Sequence, residues 1–126
     1  MARILIVDDQ PEIRDLLSKT VEGEGHTALT AGSVAEAWEA LKRGADLMFL
    51  DIDLPGETGV EMVLKLRKER LYQTLPVIFV TAYSERSGHL QATGMGAVEI
   101  ICKPFRRAAI LKALVDHLPP APPPEA

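Results

Sequence analysis

The chain has almost no cysteine, no excess of positive charge and no long apolar run, and each lack removes a class of protein. A single cysteine, Cys102, cannot close an internal disulfide, which excludes a disulfide-stapled scaffold and agrees with a reducing compartment. Its place in the apolar run 98–102 reads as a buried, inert thiol. The formal net charge of -4 makes nucleic acid a poor partner for this chain. The apolar runs are strand-sized, too short to cross a bilayer. Residues 1–9 hold one base and a short apolar stretch before two acids, too little for a signal peptide. The cytoplasm is the default location. With 47% hydrophobic and 25% charged residues in a length of 126, the composition is that of one globular domain.

What is present is a regular alternation. Five short apolar runs, at 4–7, 26–31, 47–50, 77–80 and 98–102, alternate with five segments of helical periodicity. The first run is continuous and rich in β-branched residues, as a strand buried on both faces would be. Pro11 then sits where a first-turn proline belongs, and Ile13, Leu16, Leu17 and Val21 recur at helical spacing until Gly23 and Gly25. Ser33-Val34-Ala35-Glu36 matches a capping box opening a second helix, whose inner face is Val34, Ala37, Trp38 and Leu41. Val60, Val63 and Leu64 begin a third. The fourth, about 84–93, has the weakest pattern, with Gly88 inside it and Leu90 as its one large aliphatic residue. The last carries Ile110, Leu111, Leu114, Val115 and Leu118. The domain is expected over 1–118, and the proline-rich 119–126 reads as a linker or extended terminus.

Alternating strands and helices predict a doubly wound α/β fold: a five-stranded parallel sheet with helices on both faces. Ligands of such sheets bind beyond the carboxyl ends of the strands. The polar residues gather there. Asp8 and Asp9 follow the first run, Asp51 the third, Thr81 the fourth and Lys103 the fifth. Each has a plainer reading alone: Asp8 and Asp9 can cap a helix, Asp51 can serve a turn, Thr81 can bond its own backbone, and Lys103 can be solvated. Three carboxylates at one edge are harder to dismiss. Two unit charges about 4 Å apart repel by roughly 4 kcal/mol at an effective dielectric near 20. Such a cluster protonates or holds a cation, and oxygen-only ligands favour a hard ion such as magnesium. A carboxylate can also attack phosphorus, with a lysine and a hydroxyl stabilising the transferred oxygens. His26, His89 and His117 share no ligand spacing, Trp38 reads as a core anchor, and Arg106-Arg107 as a solvated helix start.

At these residues the chain, from about Ala2 to Leu118, resembles the receiver domain of two-component response regulators, in particular the chemotaxis regulators. The matches are Asp8-Asp9, Asp51 within Leu50-Asp51-Ile52-Asp53-Leu54-Pro55-Gly56, Gly59, Thr81-Ala82 and Lys103-Pro104-Phe105. The resemblance implies a flavodoxin-like (βα)5 fold with strand order 2-1-3-4-5. It implies that Asp51 takes a phosphoryl group from a histidine kinase or histidine phosphotransfer protein. Asp9 and Asp51 would ligate Mg2+ with the backbone carbonyl of Asp53, while Asp8 acts mostly through water. Lys103 would pair with Asp51 and then, with Thr81 and Ala82, bind the phosphoryl group. The Lys103-Pro104 bond would be cis. Output would pass to an output domain or downstream protein across the face of the fourth helix, fifth strand and last helix, with homodimerisation on phosphorylation an open outcome.

Two departures from the family pattern stand out. Ile100 occupies the position three before the lysine where the family usually has tyrosine or phenylalanine. Asp53 adds an acid two residues after Asp51, and Tyr83 lies two after Thr81; both are placed to tune the lifetime of the phosphoryl group. The competing reading is an enzyme: a haloacid-dehalogenase-type phosphatase also uses Asp-x-Asp, then Thr, then Lys. That family needs a further acidic pair after the lysine, where this chain has only Asp116 and Glu125. The expectation is therefore a switch that phosphorylates and dephosphorylates itself at most, and not a turnover enzyme.

Overall fold

Strands with uninterrupted apolar interiors need cover on both faces, and the chain supplies it by passing each crossover helix to one side or the other. A computed structural model describes residues 2–82 and 97–118. The elements run β1 (Arg3–Val7), α1 (Pro11–Gly23), β2 (Thr27–Ala31), α2 (Val34–Leu41), β3 (Leu47–Leu50), α3 (Gly59–Leu66), a 3-10 turn (Arg70–Tyr72), β4 (Val77–Thr81), β5 (Glu99–Cys102) and α4 (Arg107–His117). All strand pairs are parallel, in the order β2-β1-β3-β4-β5. This is the doubly wound sheet and strand order expected. The helical segment expected at 84–93, with Tyr83 before it, and the proline-rich 119–126 lie outside the described residues.

Side-chain alternation splits the core into two layers. Ile4, Ile6, Leu47, Phe49, Ile78, Val80 and Ile101 meet Leu17 and Val21 of α1 and Ile110 and Leu114 of α4. Leu5, Val7, Met48, Leu50, Val77, Phe79 and Ile100 meet Val34, Ala37 and Leu41 of α2 and Met62, Val63 and Leu66 of α3. Each large side chain so buried contributes about 1.5–3 kcal/mol of transfer free energy.

Four expected core residues lie outside these layers: Leu16, Leu64, Val98 and Val115 are exposed. For Leu16, Leu64 and Val115 the reason is that a helix buries the stripe facing the sheet, and apolar residues one position off it stay wet; Val98 lies just before β5 begins. On α1 the stripe is completed by Thr20, whose hydroxyl donates to the Leu16 carbonyl at 2.9 Å and so tolerates burial. On α4 the small Ala113 is buried where Val115 is not. Cys102, expected to be buried, is half-buried at the end of edge strand β5. Trp38 is half-buried and meets Tyr72 edge to face at 6.1 Å. The second helix is capped at Ser33, whose hydroxyl accepts from Glu36 N–H at 3.2 Å, but Glu36 returns to the N–H of Gly32 (2.9 Å), one residue before the cap.

Candidate phosphoryl-acceptor site

The order of strands reverses between β1 and β3, which opens a crevice at their carboxyl ends. Three residues prolong their strands by one step into it. Asp8 N–H donates to the Ala31 carbonyl (3.1 Å), Asp51 N–H to Val7 (2.9 Å) and Lys103 N–H to Thr81 (2.8 Å). The pleat has a period of two, so Asp8 shares a face with Ile6, Asp51 with Phe49 and Lys103 with Ile101. All three partners belong to the layer beneath α1 and α4. One sheet face thus delivers two acids and a lysine to the same point. Thr81 is out of phase with them, aligned with Phe79 in the layer beneath α2 and α3.

The side chains meet as the alternation dictates. Lys103 Nζ lies 2.7 Å from Asp8 Oδ2, 3.0 Å from Asp51 Oδ2 and 3.2 Å from Gln10 Oε1. The other oxygen of each acid is held by a turn of the same kind: Asp8 Oδ1 accepts from Gln10 N–H (2.9 Å) and Asp51 Oδ1 from Asp53 N–H (3.0 Å). Both carboxylates are therefore fixed in rotation. Asp9 is exposed beside them, and carboxylate oxygens of Asp8, Asp9 and Asp51 lie within 4.8 Å of one another. Burial raises the pKa of Asp8 against the opposing effect of its bonds to Lys103 and Gln10, with Asp51's charge adding to the rise. Burial alone would lower the pKa of Lys103, but its bonds to Asp8 and Asp51 outweigh that and raise it. The lysine stays charged.

Thr81 Oγ1 is buried and has no hydrogen-bond partner among the described residues, a costly state for a hydroxyl unless a ligand meets it. Ala82 and Asp53 are exposed at the rim. Gly59 closes the floor, where a Cβ would lie 2.3 Å from the Asp51 carbonyl oxygen. Its N–H donates to the Ile52 carbonyl at 2.9 Å. The Lys103-Pro104 peptide is cis, as the resemblance implied.

The family model for the response regulator receiver domain matches residues 4–115. The chain belongs to that family. It is 35% identical to the phosphate regulon transcriptional regulatory protein PhoB of Pseudomonas aeruginosa, over 93% of this chain and 53% of that one. It is 32% identical to a chemotaxis protein CheY homolog of Campylobacter jejuni, over 92% of each. The crystal structure of the chemotaxis response regulator CheY4 of Vibrio cholerae superposes with a TM-score of 0.86 at 29% identity, covering 94% of this chain and 99% of that one. The chain thus spans about half of one curated relative and nearly all of another. Acceptance of a phosphoryl group by an aspartate is the function of receiver domains, and Asp8, Asp51, Thr81 and Lys103 occupy the strand ends of this one.

The donor set of this receiver domain suits a hard cation: three carboxylates within reach of one another, with no nitrogen or sulfur ligand among them. Two neighbours escape a reading of the sequence. Gln10 accepts from Lys103, and Arg14 Nη1 donates to the Asp8 carbonyl at 2.6 Å. Their signal is positional: Gln10 opens α1 beside the acid pair, and Arg14 follows one turn later on the same side. Asp8 does not cap α1 directly; the N-cap is Gln10, which makes no side-chain capping bond. Hollow shape alone would mislead, because a groove of about 830 Å³ lined by Asp46, Leu71, Tyr72, Pro76 and His117 opens before the strands rather than after them.

Proposed function

We propose that residues 1–118 form a phosphorylation switch in which Asp51 is the acceptor. One observation carries this reading: the ammonium of Lys103 spans Asp8 and Asp51 inside a cluster of three carboxylates. An oxygen of Asp51 attacks the phosphorus of a phosphohistidine on a histidine kinase or phosphotransfer protein. The P–O bond forms as the P–N bond breaks, and the imidazole leaves with its electron pair and takes up a proton. Lys103 balances charge on the phosphoryl oxygens, the buried hydroxyl of Thr81 donates to one of them, and Ala82 is next to it in the chain. Asp9, Asp51 and the backbone carbonyl of Asp53, with Asp8 acting through water, would hold Mg2+, which when bound neutralises charge on the transferring oxygens. With the ion, the three acids and Lys103 sum to zero formal charge until the phosphoryl group arrives. Hydrolysis of the acyl phosphate resets the switch. The carboxylate of Asp53, exposed two residues after the acceptor, slows that hydrolysis by repelling the attacking water.

The protein holds one phosphoryl group per chain at a time and does not turn over phosphomonoesters. Asp116, one of the acids a phosphatase would need after the lysine, pairs with Lys112 on the surface at 2.5 Å. Output passes to a downstream protein or attached domain across β5 and α4. No helix among the described residues is long and apolar enough to cross a membrane, and we place the switch in the cytoplasm. Incubation with acetyl phosphate and Mg2+, followed by intact-mass measurement, tests the reading. One phosphoryl adduct is expected on the wild type and none on Asp51→Asn. An adduct that persists in Asp51→Asn, or steady turnover of a phosphomonoester, would overturn it.

A further inference from the structure

Gln10 is the N-cap residue of α1, yet its side chain does no capping. Its backbone is fixed on both sides: the N–H is held by Asp8 Oδ1 at 2.9 Å, and the carbonyl accepts from Ile13 N–H at 3.1 Å and Arg14 N–H at 3.2 Å. From that root its carboxamide oxygen reaches Lys103 Nζ at 3.2 Å. An ammonium has three donors, and here they face two buried acids and one exposed amide.

The three acceptors are unequal. Hydrogen bonds to ionised acceptors are roughly twice as strong as neutral ones. The amide is neutral, the most distant of the three and on a solvent-exposed residue. When charged phosphoryl oxygens form at residue 51, Lys103 must turn a donor toward them, and the bond to Gln10 costs least to give up. An interaction made in the resting state and released in the transition state slows the step it precedes.

Building on the reading of Asp51 as acceptor, we propose that Gln10 is a positioning residue that latches Lys103 between transfers and releases it to the phosphoryl group. Gln10→Met keeps the length and removes the acceptor without adding charge. With acetyl phosphate and Mg2+, Gln10→Met is expected to form the Asp51 adduct about threefold faster than wild type, the effect of one weak hydrogen bond lost from the resting state. A urea double-mutant cycle of Gln10→Met with Lys103→Met reads the contact without any phosphodonor. It is expected to show coupling, since a merely structural role at the helix start would cost the same in both backgrounds. Uptake by Gln10→Met that equals or lags the wild type overturns the latch, and so does a cycle with no coupling. A wild type that forms no adduct overturns the Asp51 reading and the release step with it, and the cycle then reports on the resting contact by itself.

Discussion

The two edges of the sheet hold charges of the same kinds in different surroundings. At the carboxyl edge, Lys103 pairs with Asp8 and Asp51 with side-chain exposures of 14%, 2% and 6%. At the amino edge, beside the groove, Lys42 pairs with Glu39 at 70% and 72% exposure. Both pairings have a contact of 3.0 Å. At about 4 Å such a pair is worth roughly 1 kcal/mol in bulk water and about 4 kcal/mol at an effective dielectric near 20. Chemistry follows the buried charge, while the groove of about 830 Å³ lies at the edge where charge is already screened.

Removing the lysine should break this contrast most sharply. Lys103→Met leaves Asp8 and Asp51 buried without their cation, a loss of about 3–5 kcal/mol for a broken buried pair. Asp8 already titrates above its ordinary value through burial, and losing the Lys103 bond pushes it higher. A carboxyl whose folded pKa exceeds its unfolded one favours folding while protonated, so stability is lost as pH rises from the unfolded value through the folded one. Acidification through that window should therefore recover part of the variant's loss, and Mg2+ should do so near neutral pH by binding only the folded state. Urea unfolding in neutral and mildly acidic buffer, with and without Mg2+, measures all three. If Lys103→Met costs no more than a surface substitution, the two edges are alike.

Gly59 tests whether the backbone beneath the acids is as constrained as their side chains. A Cβ there would stand 2.3 Å from the Asp51 carbonyl oxygen and 3.0 Å from Ile52 Cα. Both are backbone atoms that cannot swing aside. Gly59→Ala should cost about 1–3 kcal/mol, as overpacking does, and should slow phosphoryl uptake because the Asp51 peptide must move. Thermal unfolding and adduct formation on the same sample separate the two effects. Full stability with normal uptake would show that the floor of the site yields easily.

Much of this was legible in the residues. The alternation of runs located every described strand to within one or two residues, and the acids and the lysine at strand ends followed from it. The phase of the pleat was also readable, since it depends on counting by two from Ile6, Phe49 and Ile101. Leu16 and Val115 were misread as core because helical spacing does not say which flank of an apolar stripe the sheet will cover. The cap at Thr58, whose hydroxyl accepts from Glu61 N–H at 3.2 Å, carries a Thr-x-x-Glu signal that the turn residues Pro55 and Gly56 just before it obscure. Gln10 was invisible for a different reason. Its role depends on how a turn aims one exposed amide, and no periodicity encodes that.

The amino edge supplies the smallest effect and the control for the rest. Lys42 donates to Glu39 three residues back on exposed helix surface. Holding two long side chains together there costs entropy, and water screens the charges, so such pairs contribute about 0–1 kcal/mol. Lys42→Ala should thus shift the urea midpoint by less than about 0.5 kcal/mol once the good helix propensity of alanine is counted. Phosphoryl uptake should be unchanged. A larger loss would mean that the groove beside Lys42 is stiffened by that pair, and the amino edge would then need the same account of buried charge as the carboxyl edge.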